Sequence, residues 1–138
     1  QTPYWLNRSR GLLELPLTAS FWGFLRQQGD LLYPKIHPHP TVRGAMSKLS
    51  MLERIPLTPE GVSAEDAIKG IDVALDDGLQ LLVMSFHSPS LQPGNTSYVK
   101  DHGELDSFYD WWRTVFSYLQ QHGVAPASVE DVIAGIEP

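Results

Sequence analysis

The residue best placed to do chemistry is His87, which follows the almost continuously apolar residues 79–86, LQLLVMSF. An apolar run of that length without alternation is the pattern of a strand buried on both faces. Ligands of parallel α/β sheets gather beyond the carboxyl ends of such strands, which is where His87 falls. An imidazole there can give or take a proton near neutral pH and so suits general acid catalysis on a leaving group. It can equally serve only as a hydrogen-bonding group of the loop that leaves the strand. Ser88 and Ser90 can hydrogen-bond a polyol or stabilise the turns around their prolines, and Asn95 and Tyr98 can touch a sugar by polar contact and by stacking, or pack on their own scaffold. No Gly-x-Ser-x-Gly elbow surrounds either serine, so a serine-hydrolase mechanism lacks its sharp turn.

His37 and His39 invite a metal reading, but their i, i+2 spacing in a proline-rich stretch matches none of the usual zinc signatures. No metal ligand is therefore assigned. The chain has no cysteine, which removes disulfides, thiolate metal sites and cysteine nucleophiles together. Ten basic and sixteen acidic residues give a net charge of -6, which repels phosphate backbones and anionic lipid, so neither nucleic acid nor membrane is an expected partner. With 138 residues, 42% of them apolar, the chain is long enough for a single domain with a core of its own.

The elements that would position these residues follow from periodicity and punctuation. Residues 11–18 read as a strand, and Ser20 as the cap of a short helix carrying Phe21, Phe24 and Leu25 on one face and stopped by Gly29. Residues 31–40 contain three prolines and read as irregular. Val42, Ala45, Met46, Leu49 and Leu52 then define the apolar face of an amphipathic helix. Residues 53–57 form a short strand closed by the turn Thr58-Pro59-Glu60-Gly61.

The clearest helix begins at Ser63, with Glu65 and Asp66 in its first turn, Ala64, Ala67, Ile68, Ile71, Ala74 and Leu75 on one face, and Gly78 as its stop. The acids Asp76 and Asp77 sit at its unfavourable end. After the 79–86 strand, Pro93-Gly94 suits the middle of a type II turn. A long helix over residues 104–122 carries Leu105, Phe108, Trp112, Val115 and Leu119, with Trp111 and Phe116 widening the stripe and Gly123 ending it. A short strand at 124–127 and a Ser128-capped helix complete the chain. The pieces ELPLT (14–18) and RIPLT (54–58) echo each other and read as two equivalent strand ends. The resulting alternation predicts an α/β fold, a partial parallel βα barrel of three to four strands with flanking helices and an open edge.

Residues 82–100, LVMSFHSPSLQPGNTSYVK, resemble the late segment of NodB-like polysaccharide deacetylases, in particular bacterial enzymes of cell-surface polysaccharides with a His-Ser-Pro-Ser-Leu, Pro-Gly, Tyr-Val pattern. Weaker similarity runs through Leu12-Leu13-Glu14-Leu15-Pro16, Leu57-Thr58-Pro59-Glu60-Gly61 and the helix closing at Gly123. The resemblance implies a distorted βα barrel of the NodB-like type. It also implies a divalent metal, usually zinc, held by one Asp and two His to activate water against an N-acetyl or O-acetyl group. His87 then corresponds to the late histidine that protonates the departing amine or alcohol. The family's Thr-Phe-Asp-Asp and His-x-x-x-His motifs have no counterpart in the chain. The expectation is therefore the C-terminal part of a metal-dependent deacetylase, without cofactor of its own and inactive in isolation, whose longer parent carries the metal.

Two other functions fit the residues. One is a carbohydrate-binding module that holds a polysaccharide or oligosaccharide through the His87 loop without cutting it. The other is a structural α/β domain that pairs with a copy of itself through the open sheet edge. Cytoplasm and cell envelope both remain open as compartments.

Overall fold

A computed structural model describes residues 2–6 and 11–136 of the chain. The chain divides into two compact units, one continuous over Leu17–Ser88 and the other built from the two ends, up to Pro16 and from Pro89 onward.

In the continuous unit, β3 (Ala19–Trp22) pairs antiparallel with β4 (Glu53–Pro56), Ala19 facing Pro56 and Trp22 facing Glu53. Between them the chain makes a 3-10 turn and the helices α1 (Gly29–Ile36) and α2 (Pro40–Lys48). The helix α3 (Ala64–Asp76) follows β4 and buries Ala67, Gly70, Ile71, Val73 and Ala74. With Ala19, Leu52, Ile55 and Leu57 these residues form the core of the unit. Ser20 is itself buried and donates from Oγ to the carbonyl of Gly70 at 2.7 Å, tying α3 to the sheet.

Three readings of this region are corrected. Residues 20–22 are strand rather than helix, because Ser20 spends its hydroxyl on Gly70 and not on a helical N–H. Gly23, at φ +112, ends the strand in a conformation that side chains avoid. Gly29 starts α1 instead of stopping a helix. A Cβ on it would lie 2.3 Å from the Phe21 ring, so the close ring contact requires glycine there. Residues 31–36 are helical despite Pro34, whose missing N–H costs one bond while the next turn closes from His37 N to Tyr33 O at 2.8 Å.

The parallel barrel is corrected as well. The sheets found among the described residues are two antiparallel pairs, β3 with β4 and, in the other unit, β1 (Tyr4–Trp5) with β2 (Leu13–Glu14). The α1–α2 hairpin returns the chain alongside the strand it left, which makes β3 and β4 antiparallel where a single crossover helix would have made them parallel. Residues 79–86 are extended but form no regular strand, and residues 81–85 are only half-buried. The Val83 N–H goes to the Thr18 hydroxyl at 2.8 Å and not to a backbone carbonyl, which interrupts any ladder. Residues 124–127 form no strand either.

The echoing pieces are not equivalent strand ends: ELPLT runs from β2 toward β3, whereas RIPLT lies across the end of β4. They meet where Leu57 N donates to Thr18 O at 3.1 Å.

In the second unit, α4 (His102–Gln121) starts two residues earlier than its periodicity predicts, because Asp101 caps it by accepting from Glu104 N at 2.9 Å. Its buried stripe is Phe108, Trp111, Val115 and Leu119, so Trp111 is the core tryptophan and Trp112 the flank. The T-shaped contact between the two rings, with centroids 4.9 Å apart, accompanies that arrangement. Gly123 ends the helix at φ +72. The last helix, α5 (Val129–Ile136), is capped by Ser128, whose Oγ accepts from Asp131 N at 3.1 Å.

Candidate functional site

The site is assembled in the continuous unit by hydrogen bonds that start at Thr18. This buried residue donates its N–H to Val83 O at 2.9 Å and accepts the Val83 N–H on its hydroxyl. Two residues later, Ser85 N donates to Leu57 O at 3.2 Å. The extended segment is thus stapled to β3's entry and to the end of β4. Beyond the staples, His87 emerges beside the turn that follows β4.

Glu60 occupies that turn, and its conformation is local in origin. Thr58 Oγ1 accepts from the Glu60 N–H at 3.2 Å, a hydroxyl-stabilised turn of the kind that Thr and Ser favour. The Glu60 side chain is only 4% exposed, whereas the His87 side chain is 78% exposed. His87 engages both carboxylate oxygens: its backbone N–H donates to Oε1 at 3.1 Å and its ring Nδ1 lies 2.6 Å from Oε2. With the carboxylate ionised it only accepts, and Nδ1 then carries the hydrogen in this contact. The residue is thus held at two points on one partner, once through its backbone and once through its ring, and the ring's Nε2 makes neither contact. A carboxylate in this relation fixes the orientation of an imidazole.

Ser88, next in the chain, is exposed and opens a 3-10 turn that runs to Leu91. Ser90, Asn95 and Tyr98 belong to the other unit. Ser90 is fully buried, with its hydroxyl 3.1 Å from that of Thr96. Thr96 Oγ1 also accepts from Val99 N at 3.3 Å, so the pair stitches the loop together. Asn95 and Tyr98 are exposed. The Pro93-Gly94 turn has the expected form, with Asn95 N donating to Gln92 O at 3.3 Å and Gly94 at φ +87.

His37 turns its Nδ1 toward Arg43 at 3.2 Å. No group of three or more His, Cys, Asp or Glu is placed to hold a metal ion among the described residues. Trp111, read as widening the stripe of the long helix, is buried.

Glu60 is the site residue that the sequence reading passed over, as part of a turn. The signal was present: it lies just beyond the carboxyl end of a short strand, the same placement that singled out His87. Comparison of the chain with protein-family models, curated proteins and solved structures returns no match.

Proposed function

We propose that the chain is the histidine-bearing C-terminal part of a polysaccharide deacetylase, in which His87 passes a proton to the amine or alcohol that departs when an acetyl group is removed. The observation that carries this reading is the buried Glu60 carboxylate 2.6 Å from Nδ1 of an otherwise exposed imidazole. A carboxylate so placed can orient a general acid, the role that the resemblance gives this histidine. The sugar substrate comes from the resemblance of residues 82–100 alone.

The described residues do not gather ligands for the divalent metal that the resemblance implies, so the chain's own share is proton transfer. Glu60 holds the ring, and Nε2–H faces the leaving atom. Metal ligands and activated water belong to a longer parent in this reading. The 138-residue chain, supplied with zinc and a chitooligosaccharide, is accordingly expected to release no acetate above a His87→Ala control. In a parent carrying the Asp-Asp and His-x-x-x-His motifs, His87→Ala should lower kcat by about 10²–10⁴ with little change in KM. Glu60→Gln should lower kcat less. Acetate release by the short chain, or a parent reading frame without those motifs, would sink the proposal.

The exposure of Asn95 and Tyr98 favours a second reading, glycan binding without hydrolysis. Binding of a chitooligosaccharide that is lost in Tyr98→Ala but retained in His87→Ala, in a chain whose parent lacks the metal motifs, would select it.

A further inference from the structure

Two helices of the molecule carry an apolar stripe yet bury no residue, and their charges are opposite. On α2 and its C-cap, Val42, Ala45 and Leu49 recur at helical spacing and are all exposed. Leu31 on α1 is 72% exposed, with Lys35 one turn further on. Between Leu31 and Leu52 the chain has Lys35, Arg43 and Lys48 and no Asp or Glu, in a protein whose net charge is -6. The other helix is α5, where Val129, Val132, Ile133 and Ile136 form the stripe and Glu130 and Asp131 occupy the first turn. Val129 is 56% exposed and Val132, Ile133 and Ile136 are half-buried, and no Lys or Arg follows Arg113 in the sequence.

We propose that the chain associates head to tail with further copies of itself, the α5 stripe of one copy covering Leu31, Val42 and Leu49 on the α1–α2 hairpin of the next, with Glu130 and Asp131 facing Arg43 and Lys48. Apolar burial supplies the attraction and the opposite charges select the pairing. Hairpin on hairpin would bring cations together, and α5 on α5 would bring carboxylates together, so a symmetric pairing of either element is disfavoured. An anionic bilayer would meet the repulsion of the net negative charge. A heterologous contact leaves one hairpin and one α5 open at the ends, so assembly continues past the dimer as concentration rises unless a ring closes. The proposal is independent of the reading of His87.

Sedimentation velocity of the full 138-residue chain from micromolar to millimolar concentration tests it. The expected result is a weight-average sedimentation coefficient that rises past the dimer value and falls back when salt is raised to about 0.5 M. A hairpin variant, Lys48→Glu with Leu49→Glu, and a helix variant, Val129→Ser with Ile133→Ser, should each associate at least about tenfold more weakly than the parent sequence. The hairpin variant keeps an intact α5 and the helix variant an intact hairpin, so an equimolar mixture should form a one-to-one dimer that does not grow. A chain that stays monomeric at millimolar concentration would overturn the proposal, with no variant needed. So would a stop at a symmetric dimer in the unmodified chain, or a mixture of folded variants that remains monomeric.

Discussion

The helices α2 and α3 lie in the same unit and both show an apolar stripe in the sequence, but only α3 buries one. α3 sets Ala67, Gly70, Ile71, Val73 and Ala74 against the β3–β4 pair, while α2 leaves Val42, Ala45 and Leu49 in the open. Both stripes follow the same 3.6-residue rule. What separates the helices is what faces them: α3 meets a sheet whose Ile55 and Leu57 are 2% exposed, and is tied to it by Ser20. Periodicity identifies the side of a helix that burial would favour, and only the topology decides whether a surface arrives there.

Truncation on the two helices would break this contrast if it were wrong. Ile71→Ala should cost about 2–5 kcal/mol, because Ile71 is fully buried and its loss leaves a cavity. Leu49→Ala should stay within about 0.5 kcal/mol in dilute solution, where Leu49 remains 69% exposed. Urea denaturation with a shared m-value measures both, and comparable losses would remove the distinction. An effect between these two belongs to the start of α3. Ser63 Oγ accepts from Asp66 N at 3.1 Å and donates to its carboxylate at 2.8 Å, so Ser63→Ala should cost about 1 kcal/mol and Ser63→Asn much less.

The smallest expected effect is a pH dependence. Hydrogen bonds from Lys69 and then Ser63 hold the Asp66 carboxyl below its ordinary range, against a slight opposing effect of burial. A carboxylate lowered by folding contributes stability that is fully present above its unfolded pKa and is lost as pH falls through the folded value. The same contact raises Lys69, whose contribution is present below the usual lysine range and fades as pH rises through its folded value. Both groups are well exposed, so the gain is small and screened by salt. Thermal melts of the parent chain and Asp66→Asn should therefore diverge slightly above pH 4 and converge below Asp66's lowered range.

Legibility followed the reach of each interaction. α3 was readable nearly to the residue because its cap, its first-turn acids and its stop at Gly78 are all local. The acids Asp76 and Asp77 at its end were not explained by local rules. Their partner is Arg26, 3.3 Å from Asp77 and 3.9 Å from Asp76, fifty residues away in sequence. Residues 79–86 were misread for the same reason: their apolar run is local, but the Thr18 hydroxyl that takes the Val83 N–H is 65 positions distant. Half of the candidate site was visible, as His87. Glu60 was concealed by its turn neighbours, and only the folded backbone brings the two together across 27 positions.

The division of the chain also bears on the order in which it is made. All residues of the His87–Glu60 unit have been synthesised once Ser88 is in place, whereas the other unit also needs residues from Pro89 onward. During translation the imidazole and its carboxylate can therefore meet before α4 exists, and the N-terminal hairpin of β1 and β2 is the segment left holding an unfinished partner. Slow steps in biosynthesis should consequently fall on closure of the terminal unit, with the histidine already in its setting.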